Sequence, residues 1–327
     1  MVNGMIRVRG ITKVYYPRTL ASNIQNLLFG KVDNREGGTT ALSNVSFEIN
    51  RGEVVGMIGP NGAGKTTMMK ILTGLLRPTN GEVWVDEFKP ADLEETFKKE
   101  ISFFSATNRI LDDGVIIRDS FEDKLGVYGS LPFRKNPTVQ WLVERSQVEE
   151  YLDRVPEELS TGQRTIVEVI YSLIHKPRYV FFDEPTLGLD LSAILLFKQL
   201  VRELNQKEKM TFVITSHDLQ NVVDISERII LINRGKVLVD KTTTAVIRDE
   251  TFDRQIEFIL SDKAGTQKLP PGIHLEFPRL IIKTSKKDVG DKIKYWLPRL
   301  HFSDLRITEP PIEEIFGKYY HVAKTKK

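Results

Sequence analysis

Residues 59–67 read GPNGAGKTT and match the pattern G-x-x-x-x-G-K-[ST] in full. They follow a continuous apolar run at 54–58, which predicts a strand buried on both faces, and they precede a predicted helix at 68–72. Glycines leave backbone N–H groups free to wrap an anion, and the positive end of a helix adds to the field there. The stretch therefore predicts a phosphate-binding loop between a strand and a helix.

Each part of this loop has a predicted role at a nucleotide. Lys65 reaches the β- and γ-phosphates, the Thr66 hydroxyl ligates Mg²⁺, and Thr67 contacts the α-phosphate side. The residues predicted to bind ATP here are Gly59, Pro60, Asn61, Gly62, Ala63, Gly64, Lys65, Thr66 and Thr67. Kinases, GTPases and motor ATPases share such a loop, so the loop alone leaves the class open.

The composition of the whole chain limits the classes of protein to which this loop can belong. The 327 residues are 40% hydrophobic and 28% charged, with a net charge of +3, which is too small to indicate nucleic-acid binding. The absence of cysteine excludes disulfides and thiolate zinc sites. No apolar run approaches the ~20 residues that cross a bilayer, and no signal peptide is visible. We expect a cytosolic chain whose membrane role, if any, comes through a partner.

Strands alternate with helices over most of the chain, which predicts an α/β core with a largely parallel sheet. The pattern of predicted strands and helices changes near residue 250. This change predicts an ATPase domain at 1–248 and a small α+β domain at 249–327. In the second domain we predict strands at 255–260, 274–284 and 304–308, a helix at 286–300 and a last helix from Pro310. An irregular segment at 17–38, with an apolar patch at 27–29, is predicted to be an insertion.

Further motifs follow the loop in order. They read LSTGQ at 159–163, YVFFDE at 179–184, LGLD at 187–190 and TSHD at 215–218. Together with the loop they resemble the signature, Walker B strand, D-loop and switch histidine of ABC ATPases over residues 5–245. The resemblance implies a P-loop NTPase ABC cassette with a mostly parallel core sheet, an antiparallel β subdomain and a helical subdomain at about 105–165.

The resemblance also implies roles for single residues. Asp183 would hold Mg²⁺, Glu184 would act as general base, and His217 would contact the γ-phosphate. Ser160 and Gly162 would reach the γ-phosphate of the opposite subunit, so that a dimer completes the site, and Gln163 and Asp190 are further predicted nucleotide-binding residues. Taken singly, Ser160 also reads as a helix cap and His217 as a structural histidine. Tyr15 resembles the aromatic residue that stacks on adenine, with Tyr16 as the alternative.

One position departs from the family. ABC ATPases carry an Mg²⁺-binding glutamine between loop and signature, and the sequence here is ISFFSATN at 101–108. Thr107 falls where we expect the glutamine, and Asn108 offers an amide one residue later. Either residue substitutes for the glutamine, or the site is weakened. The anchor for this placement, RDSF at 118–121, resembles ABC-2 type exporter ATPases related to sodium- and drug-efflux ATPases.

These resemblances predict an ATP-hydrolysing subunit of an exporter that uses ATP and Mg²⁺. It would form a homodimer on an ABC-2 type membrane protein at the cytoplasmic face, without nucleic acid. The ending PPIEEIF at 310–316 resembles the closing helix of that branch. The alternatives are a polysaccharide-exporter ATPase, a soluble ABC ATPase acting on ribosomes or DNA, and a phosphate-loop kinase. The transported substrate is not readable from this chain.

Overall fold

The computed structural model describes residues 5–16, 37–248, 254–262, 269–270 and 273–319, the last range without 310, 313 and 318. The chain divides into two compact units, residues 1–241 and 242–327. The predicted boundary lies seven residues later. Within the described ranges, no helix combines the length and the apolarity that crossing a membrane requires. Most of the predicted insertion at 17–38 lies outside these ranges.

The first unit contains strands and helices in alternation. Its strands are β1 (Met5–Tyr15), β2 (Thr39–Asn50), β3 (Val54–Ile58), β4 (Asn80–Val85), β5 (Ile101–Ser105), β6 (Tyr179–Asp183), β7 (Thr211–Ser216), β8 (Arg228–Asn233) and β9 (Lys236–Thr242). Its helices are α1 (Lys65–Leu72), α2 (Glu95–Glu100), α3 (Ile117–Val127), α4 (Pro137–Ser146), α5 (Thr161–Leu173), α6 (Leu191–Glu208) and α7 (Leu219–Val223).

The core sheet has the strand order β5-β6-β7-β3-β8-β9. Neighbours from β5 to β8 run parallel, and β8 and β9 form a hairpin. Every residue of β3, β6 and β7 is buried, because helices cover both faces of a parallel sheet, and this explains the continuous apolar runs. The parallel strands end at one edge of the sheet, and the loop after β3 lies there.

A smaller antiparallel sheet of order β2-β1-β4 packs with α1 against one side of this core. Its inward residues, such as Ile6 and Val8, share a hydrophobic cluster with Met68 of α1 and Phe181 of β6. On β6, the ring of Phe182 contacts three other rings, those of Phe104, Phe197 and Phe212. The predicted mostly parallel core and antiparallel subdomain are confirmed.

Helices α3 and α4 and the start of α5 occupy the segment predicted as the helical subdomain. Helix α4 begins at Pro137 because proline tolerates the first helical position, and Asn136 caps it through two backbone N–H groups. Ser160 caps α5, and Gln163 completes the reciprocal capping box. The N-terminus of α5 is thus set locally by the predicted signature residues.

The second unit contains a four-stranded antiparallel sheet together with short helices. It contains α8 (Thr243–Arg248), β10 (Arg254–Leu260), β11 (Ile273–Glu276), β12 (Arg279–Thr284), α9 (Val289–Trp296) and β13 (Phe302–Thr308), and the sheet order is β11-β12-β10-β13. Trp296 and Leu300 join residues such as Phe258 and Ile282 in its core. The predicted α+β character is confirmed.

Two predicted elements of this unit differ in the structure. Residues 274–284 form a hairpin of β11 and β12 rather than one strand, because Pro278 has no N–H with which to continue a ladder. The helix predicted at 286–300 is α9 followed by a 3₁₀ turn at Leu297–Arg299 that contains a proline. Residues 312, 314–317 and 319 are helical, in the region of the predicted last helix.

Candidate functional site

The loop at 59–67 joins the carboxyl end of β3 to α1, as predicted. At two positions of the loop, a neighbouring backbone carbonyl lies so close that only glycine fits. A Cβ on Gly59 would lie 2.1 Å from the carbonyl oxygen of Ile232, and one on Gly64 would lie 2.7 Å from that of Ala41. Gly64 also has a φ of +112°, in the left-handed region that favours glycine. The glycine pattern thus lets the loop fold against both sheets.

Lys65 is buried at the start of α1. Its ammonium donates to the carbonyl oxygen of Gly59 at 2.7 Å and lies 3.7 Å from a carboxylate oxygen of Glu184. Only 6% of the residue is exposed. A buried cation with fixed acceptors is held in place over the loop, which is the arrangement that binds a phosphate group.

The carboxylate of Asp183 ends β6 and accepts two hydroxyl hydrogen bonds. Thr66 donates to one oxygen at 2.9 Å, and Thr215 at the end of β7 donates to the other at 2.6 Å. Asp183 is only 3% exposed, and it stands directly beside Thr215 in the parallel ladder. The sheet therefore brings the predicted metal residues Thr66 and Asp183 into contact.

Glu184 and His217 form a hydrogen-bonded pair beside Asp183. The ring Nδ1 of His217 lies 2.7 Å from Oε2 of Glu184, and the His217 backbone N–H donates to the same oxygen at 3.1 Å. Glu184 has a φ of +57°, an unusual conformation for a residue with a side chain. Hydrogen bonds from its N–H to the carbonyl and hydroxyl oxygens of Thr215 hold that turn.

A cavity of about 350 Å³ lies over the loop. Its lining residues are Ala41, Asn61, Gly62, Ala63, Gly64, Lys65, Thr66, Thr67 and Glu184. Tyr15, the last residue of β1, is 43% exposed, and its hydroxyl lies 3.5 Å from that of Thr67. Its exposed ring stands next to the loop residue predicted to touch the α-phosphate side.

The signature and D-loop residues lie at helix starts. Ser160 and Gln163 bond reciprocally, and Gln163 also donates to the hydroxyl of Tyr151. Asp190 caps α6 by accepting from the N–H of Ala193 at 2.8 Å. Among the described residues, the hydrogen bonds of these three residues do not reach the phosphate loop. A Cβ on Gly162 would meet nothing closer than 3.9 Å, so the surface beside it is open.

Thr107 lies just past the end of β5, close to Asp183 in the fold. Ser105, the last residue of β5, is the ladder neighbour of Asp183, and its hydroxyl lies 3.0 Å from that of Thr107. The N–H of Ala106 donates to the carbonyl oxygen of Asp183 at 3.1 Å. Asn108 follows in the same turn and is exposed.

Two residues that position the site were not assigned roles from the sequence. Thr215 links Asp183 to the Glu184 turn, and Ser105 holds the Thr107 hydroxyl. Both stand at the carboxyl ends of parallel strands, in the ladder row that contains Asp183. The carboxyl ends of parallel strands meet at one edge of a sheet. A hydroxyl residue at the end of a predicted strand could therefore have indicated these two site residues.

The donors present fit a magnesium ion. The carboxylate of Asp183 and the hydroxyl of Thr66 are hard oxygen ligands at the edge of the cavity. Across the described parts of the chain, no group of three or more His, Cys, Asp or Glu gathers that could hold a metal alone. Magnesium is commonly bound through one or two carboxylates together with the phosphates of a nucleotide.

A glycine-rich loop between a buried strand and a helix, with a buried lysine and a carboxylate at the neighbouring strand end, defines a phosphate-loop nucleotide-binding protein. The family model "ABC transporter" matches residues 42–187. The chain is 31% identical over 198 residues to the ABC transporter ATP-binding protein NatA of Bacillus subtilis, covering 61% of this chain and 80% of NatA. It is 29% identical over 229 residues to the zinc uptake system ATP-binding protein ZurA of Listeria innocua, covering 68% and 88%.

Solved structures agree with these relatives. The ATP-binding cassette MJ0796, in a dimeric post-hydrolysis state bound to ADP and Pi, aligns with a TM-score of 0.61 and 27% identity over 73% of this chain and 98% of that chain. The chain belongs to the ABC transporter ATP-binding proteins. It is an ABC ATPase whose hydrolysis of ATP drives transport, as the sequence predicted. The relatives include proteins named for uptake, and similar identities leave the branch unresolved.

Proposed function

We propose that this chain energises an exporter with an ABC-2 type membrane protein, as a homodimer whose two sites are each completed by the partner's signature residues. The catalytic part of this proposal rests on the contacts of Glu184 with Lys65 and His217, and of Thr66 with Asp183. Of these residues, Lys65, Thr66 and Glu184 line the cavity. The open, capped N-terminus of α5 at Ser160 supports the dimer, because its donors lie away from their own phosphate loop.

In this proposal the phosphates bind to the loop N–H groups and to the ammonium of Lys65. The Thr66 hydroxyl, the Asp183 carboxylate and Thr107 are the metal ligands. Bound Mg²⁺ would neutralise charge that develops on the phosphates. Tyr15 would stack on the adenine.

Glu184 is placed to accept the proton of the attacking water. Its carboxylate is held between Lys65 and His217, at 3.7 and 2.7 Å. A γ-phosphate that binds the Lys65 ammonium competes with Glu184 for that cation, and this leaves a carboxylate oxygen available to the water. His217 keeps the carboxylate oriented through its other oxygen. Catalysis is then mainly positioning and charge stabilisation.

The test of this mechanism is Glu184→Gln, which keeps the shape and removes the base. We expect hydrolysis to fall by about 10²–10⁴-fold, and the variant to accumulate as an ATP-bound dimer in size-exclusion chromatography with Mg-ATP. Glu158→Gln, at an exposed position before the signature, is the matched control and should hydrolyse normally. A Glu184→Gln chain that stays monomeric under saturating Mg-ATP contradicts dimer-completed catalysis.

Export is proposed from residues 118–121 and 310–316, which resemble the sodium- and drug-efflux branch. Of two relatives of similar identity, the name of NatA gives no direction and ZurA is named for zinc uptake, so the proposal of export rests on those two stretches of sequence. The test is co-expression with a candidate ABC-2 type membrane protein, followed by assay of inside-out vesicles. Export predicts ATP-dependent accumulation of ²²Na⁺ or an amphiphilic dye, and loss of that accumulation with Glu184→Gln. Co-purification with ribosomes in place of a membrane protein would contradict the transporter.

A further inference from the structure

Strand β13 ends the sheet of the second unit. It pairs with β10 on its inner side, and no strand among the described residues pairs with its outer side. Five of its seven residues are exposed. An unpaired edge of this length presents a row of backbone donors and acceptors, which is the feature through which sheets of separate chains join.

The direction of the backbone groups of β13 follows from two hydrogen bonds. The N–H of Leu260 donates to the carbonyl oxygen of Pro278, on the β12 side of β10. Because alternate residues of a strand point to opposite sides, the backbone of Phe258 also points to β12, and its neighbour Leu305 is not bonded to β10. The N–H of Leu305 is instead accepted by the side chain of Asp304 at 2.8 Å. The backbone groups of Leu305 therefore point outward.

The side chains of β13 divide between the two faces. Leu305 and Ile307 stand beside the core residues Phe258 and Ile256, on the face that α9 covers. Ile307 is still 50% exposed. Asp304 and Arg306 alternate with them on the other face and contact each other at 3.0 Å. The order of charges along the strand is therefore acid, then apolar residue, then base.

We propose that β13 pairs antiparallel with β13 of a second copy of this chain, about a two-fold axis at Leu305. The outward N–H and C=O of Leu305 then bond to Leu305 of the partner subunit. Asp304 stands opposite Arg306 of the partner subunit, and Ile307 opposite Ser303 of the partner subunit. The two sheets join into one of eight strands. This contact lies outside the nucleotide site and goes beyond the proposed function.

The charge order makes this edge self-complementary. In an antiparallel pair centred on Leu305, each strand places its acid opposite the other strand's base, and such opposite cross-strand pairs are favourable. In the dimer the Asp304 carboxylate accepts from the guanidinium of Arg306 of the partner subunit instead of from the Leu305 N–H. The Leu305 N–H then donates to the carbonyl oxygen of Leu305 of the partner subunit, so no donor loses its acceptor. An interface that uses the same residues on both subunits closes as a dimer. A contact of one strand is small, so we expect weak association.

The test measures self-association of the full-length chain without nucleotide, by sedimentation velocity over a concentration series. Asp304→Arg and Arg306→Asp should each weaken it by roughly tenfold or more, because like charges then face each other. A 1:1 mixture of the two variants should associate as well as the wild type. In that mixed dimer one strand is basic at both positions and the other is acidic at both. Opposite charges then face each other again, a rescue that a loss of folding could not produce.

Ile307→Pro gives a second, independent test. By alternation with Leu305, the N–H of Ile307 points outward, so proline removes a donor of the proposed pair and none from the β10 ladder. We expect it to abolish association while circular dichroism and ATP hydrolysis stay unchanged. A wild-type chain that is monomeric throughout the series, charge variants that associate normally, or a mixture without rescue would each overturn the proposal. Since no nucleotide is present, those results are separate from any failure of the catalytic proposal.

Discussion

The hydroxyl of Thr215 connects the two neighbouring acidic residues of the site. It donates to Asp183 at 2.6 Å and accepts from the backbone N–H of Glu184 at 3.1 Å. Thr215 itself is fully buried. One side chain therefore orients the predicted metal ligand and also holds the left-handed turn that carries the predicted base.

Replacing Thr215 with valine keeps the volume and removes that hydroxyl. We expect kcat to fall by about 10–100-fold because Glu184 and Asp183 lose their fixed positions. We also expect stability to fall by about 1–3 kcal/mol, since the buried Asp183 carboxylate loses a hydrogen-bond donor. Steady-state ATPase assays and urea unfolding measure the two effects. The control is Thr211→Val on the same strand, whose hydroxyl accepts from Gly52 away from the site; it should cost stability only. Equal kcat values for both variants would contradict the prediction.

A second prediction for a single residue concerns the reach of the Thr107 side chain. Its hydroxyl is held by Ser105 at 3.0 Å, and a threonine reaches less far than the glutamine that the family carries here. We expect Thr107→Gln to raise the ATPase rate by a few-fold at low Mg²⁺, with a smaller effect at saturating Mg²⁺. Titrating Mg²⁺ against rate measures this. Asn108→Gln, one residue further along the same exposed turn, tests the other candidate ligand separately. An unchanged rate would show that Thr107 or Asn108 already substitutes for the glutamine.

At the scale of elements, the side chain of Arg164 links helix α5, which begins at the signature residues, to the segment after Thr107. Its guanidinium contacts Glu168 one turn along α5, the carbonyl oxygen of Leu111, and Asp113. Arg164 and Glu168 are both buried, whereas the Asp113 side chain is 59% exposed. Hydrogen bonds to Glu168 and Asp113 raise the pKa of Arg164 despite its desolvation by burial, so it stays charged.

Removing one member of this buried pair should be costly. Arg164→Met leaves the Glu168 carboxylate buried without its cation, and we expect a loss of about 3–5 kcal/mol of unfolding free energy in urea. The double variant Arg164→Met with Glu168→Leu should lose less, because no buried charge is left over. Asp113→Asn should cost less than about 1 kcal/mol, since that carboxylate is exposed. A double variant less stable than the single one would contradict this account.

Lys124 gives α3 a pH-dependent contribution to stability. It donates to the carbonyl oxygen of Tyr171 on α5 at 2.7 Å, with its ammonium 4.3 Å from the Tyr171 ring centroid. Desolvation by burial lowers the pKa of Lys124 from 10.5 to about 7. Between these two values the unfolded chain binds the proton and the folded chain does not. Stability therefore rises with pH across this window and is independent of this group below pH 7.

Lys124→Met removes that dependence. We expect the variant to gain stability relative to wild type, on the order of a few kcal/mol, at pH 7 and below, and the gain to shrink toward pH 10. Urea unfolding of both chains at several pH values gives the difference. Lys98→Met, an exposed lysine that lines a second cavity of about 360 Å³ together with Lys124, is the control and should show no such trend. A wild-type-to-variant difference that stays constant from pH 6 to 10 would contradict the lowered pKa.

Local pattern predicted the elements that build the site. The loop glycines, the apolar runs of β3, β6 and β7, and the capping residue Ser160 each act within a few residues, so the sequence displays them directly. The pairing of Arg164 with Asp113 and the burial of Lys124 depend on how distant helices pack, which periodicity does not report. The hairpin at 273–284 was predicted as one strand because apolar residues recur on both sides of Pro278, and the turn there depends on that proline breaking the ladder.

The chain as a whole consists of two compact units with different chemistry. The first, residues 1–241, contains the phosphate loop, the strand-end acids and the cavity. The second, residues 242–327, has its own sheet and its own hydrophobic core of residues such as Phe258 and Trp296. Separate cores allow each unit to unfold with its own midpoint, and among the described residues the nucleotide-binding loop lies in the first unit.

We therefore expect calorimetry to resolve two transitions and Mg-ATP to raise only that of the first unit. In the slow-hydrolysing variant Glu184→Gln, nucleotide at about 100 times its Kd should stabilise that unit by about 2.7 kcal/mol, because binding to the folded state alone shifts the equilibrium by mass action. For a unit of this size the midpoint should rise by roughly 5–10 °C. Lys65→Met, which lacks the ammonium over the loop, should abolish the shift and leave the second transition unchanged. A nucleotide-dependent shift of both midpoints by the same amount would contradict independent units, and a shift that survives Lys65→Met would contradict the assignment of the loop.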